Sequence, residues 1–432
     1  MDTPVDSNQM QAYGALIGVD WADQKHCFTL CANPAGNSER GVFSQDPQQL
    51  HEWVQSLQAR FGERRIAIVI EQSKGPLINA LAMHADFVDI FCVHPTTAGR
   101  YRKVFHSSGA KTDFIDSDSL LDLLRKHPEK LRIHQNSNDT CEKLEILCQS
   151  RRRAVNRRTS LLNQLTGLLK SYYPQALKMI DPRDKTSPMS IEFLRRWPSW
   201  SKLKATRKTT LRSFYWKHNS RSERAWEKRL MVLNTQHALS ENATLLETSQ
   251  MELQALLGEI RAINKSIESF ENAIRHAFRQ TPNREVFQSL PGCAENLAPR
   301  MAAAMGANPQ RWKSALNLQT YSGIAPIQVL SNERGGTFAR GFCPKFMRQT
   351  FHEHAGCSVQ KSAWAKAFYT LRRERNQRPQ AIKRALAFKW QRIIYRCSEQ
   401  GVVYDENKYI ERLKRRNSPL IPKMREMGLL KH

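Results

Sequence analysis

The chain has 432 residues, too many for one ordinary hydrophobic core, so two or three domains are expected. Hydrophobic residues make up 40% of it and no apolar run reaches the length of a membrane span, so no spanning helix is expected. Its 67 Lys and Arg against 40 Asp and Glu leave a formal charge of +27, an excess that points to a polyanionic partner.

The excess is uneven. Residues 1–150 carry 15 basic and 19 acidic groups, residues 151–230 carry 21 and 5, and residues 361–432 carry 19 and 6. An acidic block ahead of two basic ones suggests that the rest of the chain holds nucleic acid while the first domain supplies carboxylates. Aromatic residues interleave the basic blocks: Trp197, Trp200, Phe214, Tyr215 and Trp216, then Trp364, Phe368, Tyr369, Phe388 and Trp390. Rings beside cations suit base stacking or backbone tracking, and they also suit helix cores. Nine cysteines without a C-x-x-C pair fit reduced thiols rather than a disulfide frame or zinc site. The segment MDTPVDSNQMQAYG is polar and acidic, unlike a secretory signal, so a cytoplasmic protein is expected.

In chain order, Ala15 to Val19 reads as a short strand ending in Asp20. His26 to Ala32 and Gly41 to Ser44 follow as antiparallel strands, joined by a turn at Asn33-Pro34-Ala35-Gly36. Pro47 to Phe61 has helical spacing, Ile66 to Ile70 is a buried strand ending in Glu71, Pro76 to Ala85 a helix and Val88 to Val93 a strand. The order β-β-β-α-β-α-β, with acids after the first and fourth strands, is a ribonuclease H-like pattern. Asp113 to Lys126 then reads as a helix returning across the sheet. Residues 138–180 and 240–280 carry long apolar periodicities and read as two long helices of a coiled-coil arm, with a basic insertion at about 181–236 between them. A C-terminal domain is expected over 285–400. Its turn Ser289-Leu290-Pro291-Gly292, followed by Ala298 to Gly306, suggests a helix-hairpin-helix element whose small residues let backbone amides face a phosphate. Residues 361–396 read as basic amphipathic helix, and 401–432 as a basic tail.

Phosphodiester chemistry with two metals needs three or four converging carboxylates, so that each of two Mg²⁺ ions clamps one reacting oxygen. Asp20 closes IGVD, Glu71 closes IVIE, and Asp113 and Asp116 lie on one helix face in KTDFID. Asp118, in the same segment, reads as an ordinary acid near a helix N-terminus.

IGVDWADQKH, VIEQSKG and KTDFIDSDSL, followed by a long helical arm, resemble the DEDD-type transposases of the insertion-sequence one-ten family, which are related to pilin-gene DNA invertases. SLPGC at Ser289 to Cys293 and SGIAPIQVLSNERGG at Ser322 to Gly336 resemble the Pro-Gly turn and the Gly-x-x-Pro-x4-Ser segment of its C-terminal domain. The resemblance spans residues 14–395. It implies a RuvC-like domain over 14–130 in which Asp20, Glu71, Asp113 and Asp116 bind Mg²⁺, with Mn²⁺ as a substitute, and a transposase domain in which Ser331 is the nucleophile. It further implies strand cleavage and exchange of donor and target double-stranded DNA through a covalent phosphoserine. A structured noncoding bridge RNA would act as guide, and a homo-oligomer, a dimer of dimers, would work at the bacterial nucleoid.

Two features depart from the family pattern. Asn332 rather than glycine follows Ser331, and RGFCPKFMRQ stands where a Lys-x-Gly segment is usual. Ser322 and Ser358 compete with Ser331 as nucleophile. Arg340, Lys345 and Arg348 are the expected phosphate contacts near it. Three other readings remain open: a RuvC-type structure-specific nuclease using water, a DNA invertase with the same acids, and a noncatalytic nucleic-acid-binding protein.

Overall fold

A computed structural model describes residues 7–33, 36–72, 75–105, 112–134, 139–181, 183–306, 311–331 and 334–430. The chain divides into two compact units, Met1–Ser137 and Asn138–His432.

In the first unit, β1 (Ala15–Asp20), β2 (Lys25–Ala32) and β3 (Ser38–Ser44) form an antiparallel meander. Then come α1 (Pro47–Phe61), β4 (Ile66–Ile70), α2 (Pro76–Ala82), β5 (Val88–Cys92), α3 (Pro95–Phe105), α4 (Asp113–Lys126) and the short β6 (Arg132–Ile133). The sheet order is β3-β2-β1-β4-β5-β6, with β1, β4 and β5 parallel. The order β-β-β-α-β-α-β and the helix from Asp113 are those expected from the sequence, whereas α3 and β6 were not expected; of the expected turn after β2, Pro34 and Ala35 lie outside the described residues.

Alternation along the strands sorts side chains into two layers. Ile17, Val19, Ile66, Ile68 and Ile70 pack with Val54, Leu57, Leu77 and Leu81 on one face, whereas Leu16, Ala67, Val69 and Phe91 pack with Leu120, Leu121 and Leu124 on the other. Helices therefore cover both faces, and every residue of β4 is buried. The start of α1 is set by Asp46, whose carboxylate accepts from the amides of Gln48 and Gln49, with Pro47 at the first helical position.

Among its described residues, the regular structure of the second unit is helical apart from one hairpin. Two long helices, α5 (Asp139–Tyr172) and α10 (Ala243–Arg279), pack along each other. Arg151 Nε donates to Glu271 at 2.9 Å, Arg158 to Asn264 at 3.3 Å and Arg157 to Glu259 at 3.5 Å. One set of numbers rises while the other falls overall, so the pair is antiparallel.

Between them the insertion folds as α6 (Pro188–Arg196), α7 (Trp200–Lys204), α8 (Lys208–Lys217) and α9 (Glu223–Thr235). Its rings are core. Trp197, Trp200, Phe214, Tyr215 and Trp226 are all buried with Leu161, Leu165, Leu253 and Ile260 of the long pair. The stacking role open to these rings is therefore excluded for the buried ones, which pack inward, Tyr215 beneath the buried guanidinium of Arg229.

Near the other end of the pair come α11 (Arg284–Gln288), α12 (Leu297–Met305), α13 (Ala315–Tyr321), the hairpin β7 (Ile327–Ser331) and β8 (Arg334–Phe338), α14 (Lys345–Ser358), α15 (Ala363–Glu374) and α16 (Pro379–Gln400). Trp364 and Trp390 are fully buried in its core with ring centroids 4.8 Å apart. Gly292 of the expected hairpin turn has φ +83°, and a Cβ there would lie 2.9 Å from the Cys357 carbonyl carbon. Its lack of a side chain thus serves the close approach of α14, a packing role that differs from the expected phosphate contact.

The segment expected as a basic tail is also folded. It forms α17 (Glu406–Arg415) and α18 (Leu420–Glu426), with Ile410, Leu420, Ile421 and Met424 in the core and Lys423 paired to Glu374 and Glu426. Apolar residues at helical spacing outweigh the surrounding charge. All nine cysteines are free thiols.

Candidate active site

The register of the sheet places the first two acids. Asp20 ends β1 opposite Cys27 of β2, and Val19 lies beside Ile70 of β4, so Glu71, the next residue, follows the adjacent parallel strand at the same end of the sheet. The third and fourth acids arrive on α4. Its N-cap is Thr112, which accepts from the Ile115 amide, and Asp113 and Asp116 fall in the first turn, where the helix dipole favours negative charge.

Gly18, two residues before Asp20, lets this helix seat. A Cβ there would stand 2.2 Å from the Ser117 carbonyl oxygen and 2.6 Å from the Leu121 amide nitrogen, so α4 lies directly on β1. Burial raises the Cys27 thiol pKa first, and the charges of Asp113 and Asp20 add to the rise. Both carboxylates are therefore within electrostatic reach of one sulfur.

Asp116 does otherwise. It is buried and ion-paired with Arg102 of α3. Among the described residues no three His, Cys, Asp or Glu side chains converge closely enough to hold a metal. The backbone brings Asp20, Glu71 and Asp113 to one end of the sheet, while the expected fourth acid, Asp116, is held by Arg102. The physical reason is electrostatic: a buried carboxylate beside other carboxylates is stabilised by the nearest cation, and Arg102 is that cation for Asp116.

Carboxylate oxygens suit a hard divalent cation in kind. Two buried polar atoms have no hydrogen-bond partner among the described residues: the indole Nε1 of Trp21, whose ring packs in the layer of Ile17 and Val19, opposite the face that α4 covers, and the amide Oε1 of Gln72, which lies against Gly75. Arg102, which pairs with Asp116, was missed by sequence reasoning. Asp118, expected as an acid near a helix N-terminus, lies beyond the first turn and is held instead by Arg40 and by Thr29 Oγ1, which donates to it at 2.6 Å.

In the second unit, Ser331 ends β7 with Arg334 as its cross-strand partner; its side chain lies outside the described residues, as does Asn332. Its two competitors are buried. Ser322 accepts from Gln391 Nε2 at 2.7 Å, and Ser358 accepts from the Trp390 indole at 2.8 Å. Arg340 donates to the Ala325 carbonyl at 3.4 Å and Arg348 to the Arg340 carbonyl at 3.1 Å, so both tie down the chain after the hairpin. Lys345 is exposed at the start of α14.

A mixed α/β unit with acids at neighbouring strand ends and on the helix crossing them, followed by a mostly helical unit, is consistent with a DEDD nuclease-like protein. Comparison with known proteins agrees. Residues 17–174 match the DEDD transposase family of the IS110 type, and residues 284–370 match the transposase IS116/IS110/IS902 family. The chain is 25% identical over 401 residues to the mini-circle putative transposase for IS117 of Streptomyces coelicolor, covering 91% of this chain and 96% of that one. It is also 25% identical over 165 residues to the putative transposase y4uE of Sinorhizobium fredii, 38% of this chain and 45% of that one. The chain belongs to the IS110 family of transposases. Among the described residues no helix is long and apolar enough to cross a membrane.

Proposed function

We propose that the protein is the recombinase of an insertion sequence, cutting and rejoining double-stranded donor and target DNA through a RuvC-like, ribonuclease H-like site and a serine nucleophile. A structured noncoding RNA guides it, the paired long helices serve as a coiled-coil arm, and the working assembly is a dimer of dimers at the nucleoid. What supports this reading is the seating of α4 on Gly18, with Asp113 in the first turn of that helix, Asp20 at the end of the same strand and Glu71 after its parallel neighbour.

Asp20, Glu71, Asp113 and Asp116 would hold the divalent metal, Mg²⁺ or Mn²⁺, which when bound supplies Lewis-acid stabilisation of the phosphate and lowers the cost of ionising a hydroxyl. Asp116 exchanges Arg102 for this role. Ser331 Oγ bonds to phosphorus as the P–O3′ bond breaks; the serine loses its proton and the departing 3′ oxygen gains one. A 3′-hydroxyl of the exchanged strand then attacks the phosphoserine, restoring the serine and the phosphodiester. Bond energy is conserved, so no nucleotide hydrolysis is required. The burial of Ser322 and Ser358 supports Ser331 as the nucleophile of the three.

The test is covalency. Incubated with Mg²⁺, labelled DNA carrying the element ends and the element's transcript, the protein gives a DNA adduct that survives denaturation. Ser331→Ala gives none and cuts roughly 10³-fold more slowly or worse. Undiminished cutting by Ser331→Ala would instead indicate hydrolysis by a RuvC-type nuclease.

A further inference from the structure

The insertion at residues 181–236 has no assigned role in the chemistry above, yet it carries a large share of the +16 charge of residues 151–230. Two concavities open on its surface. One, of about 430 Å³, lies between α6 and α8 and is lined by Arg196, Ser213 and Lys217, among others. The second, of about 500 Å³, lies between α6, α7 and the start of α10 and is lined by Arg195, Arg196 and Lys202, among others. Arg196 lines both, so the two adjoin at that side chain and form a basic groove along the insertion. All four cations are exposed. The acids that line it are Glu192, which Arg195 answers at 3.0 Å, and Glu247, so the groove remains net positive.

We infer that this groove binds the phosphodiester backbone of a nucleic-acid duplex, an inference that rests on the reading of the chain as a nucleic-acid recombinase. Cations spaced along a groove, with hydroxyl donors such as Ser213 beside them, match phosphate oxygens. The duplex is favoured over a single strand by what the groove lacks. Single strands are held by exposed aromatic faces on which bases stack; here Trp197, Trp200 and Phe214 are buried, and Trp216, beside Lys217, is half-buried with the Arg212 guanidinium 4.7 Å from its ring centroid. A duplex keeps its bases stacked on each other and presents only backbone. The contact is independent of base sequence, so the insertion adds affinity and position rather than target choice.

The test measures equilibrium binding of the full chain to a DNA duplex, an RNA hairpin and a single strand of equal length, across a salt series. The variant Arg196→Gln/Lys202→Gln/Lys217→Gln changes only exposed side chains; the control Arg224→Gln/Lys228→Gln/Lys265→Gln removes as many exposed cations from α9 and α10 outside the groove. The groove variant is expected to bind at least one duplex roughly 10- to 100-fold more weakly, with its log–log salt slope flattened by roughly 2 to 3 at about 0.9 per lost phosphate contact. Loss on DNA alone, RNA alone or both identifies which duplex the groove carries. Equal losses in groove and control variants, or a loss confined to the single strand, would overturn the inference. If the unaltered protein bound none of the three, the recombinase reading itself would fail.

Discussion

Asp20→Asn is expected to lower strand cleavage by roughly 10³-fold or more, which corresponds to about 4 kcal/mol of transition-state stabilisation. Asp20 ends the central β1 beside the strand that leads into Glu71, and its register partner Cys27 lies within reach of Asp113 as well. A ligand lost from that position removes a negative charge where the attacking and leaving oxygens must be neutralised. Because asparagine keeps the shape of the side chain and relieves repulsion among the acids, folding stability should change by less than about 0.5 kcal/mol. Single-turnover cleavage and thermal unfolding on the same preparation separate the two effects. Unchanged cleavage would support a noncatalytic nucleic-acid-binding protein.

The largest stability effect is expected at Gly18. The atoms that a Cβ would strike, at 2.2 and 2.6 Å, are backbone atoms of α4, so no side-chain rotation can relieve the clash and the helix must lift from β1. Gly18→Ala should therefore cost roughly 2–3 kcal/mol, at the upper end of overpacking effects. It should also depress cleavage further than the lost stability explains, since Asp113 and Asp116 ride on the displaced helix. Gly99→Ala is the matched control: it lies in α3, where an added Cβ would meet nothing within 4 Å, and should be neutral or stabilising by roughly 0.5–1 kcal/mol. Denaturant melts of the two variants read the contrast directly.

Much of the first unit was legible in the sequence because its signals are local. Ile66 to Ile70 is apolar throughout and ends in a charge, and such a run surrounded by helices can only be a strand covered on both faces. The extents of α1 and α4 follow from Asp46-Pro47 and Thr112, whose caps are written in the chain. The Arg102–Asp116 pair was not legible, because nothing in Pro95–Phe105 says which of its cations faces a carboxylate fourteen residues on.

The second unit shows a different limit. Composition placed rings beside cations in the insertion, but only packing decides which way a ring turns, and Trp197 and Tyr215 turn into the core. Charge density likewise hid α17, in which Ile410 is the one buried residue. Ser331 was assigned by resemblance and not by any local physical signal, since a serine after a strand carries none.

The most direct test of the account is binding of Mn²⁺ to the full-length protein, titrated by electron paramagnetic resonance. The account predicts bound Mn²⁺ that Mg²⁺ displaces, with affinity reduced at least about tenfold by Asp20→Asn and by Glu71→Gln. Absence of bound Mn²⁺, or binding indifferent to both substitutions, would contradict it.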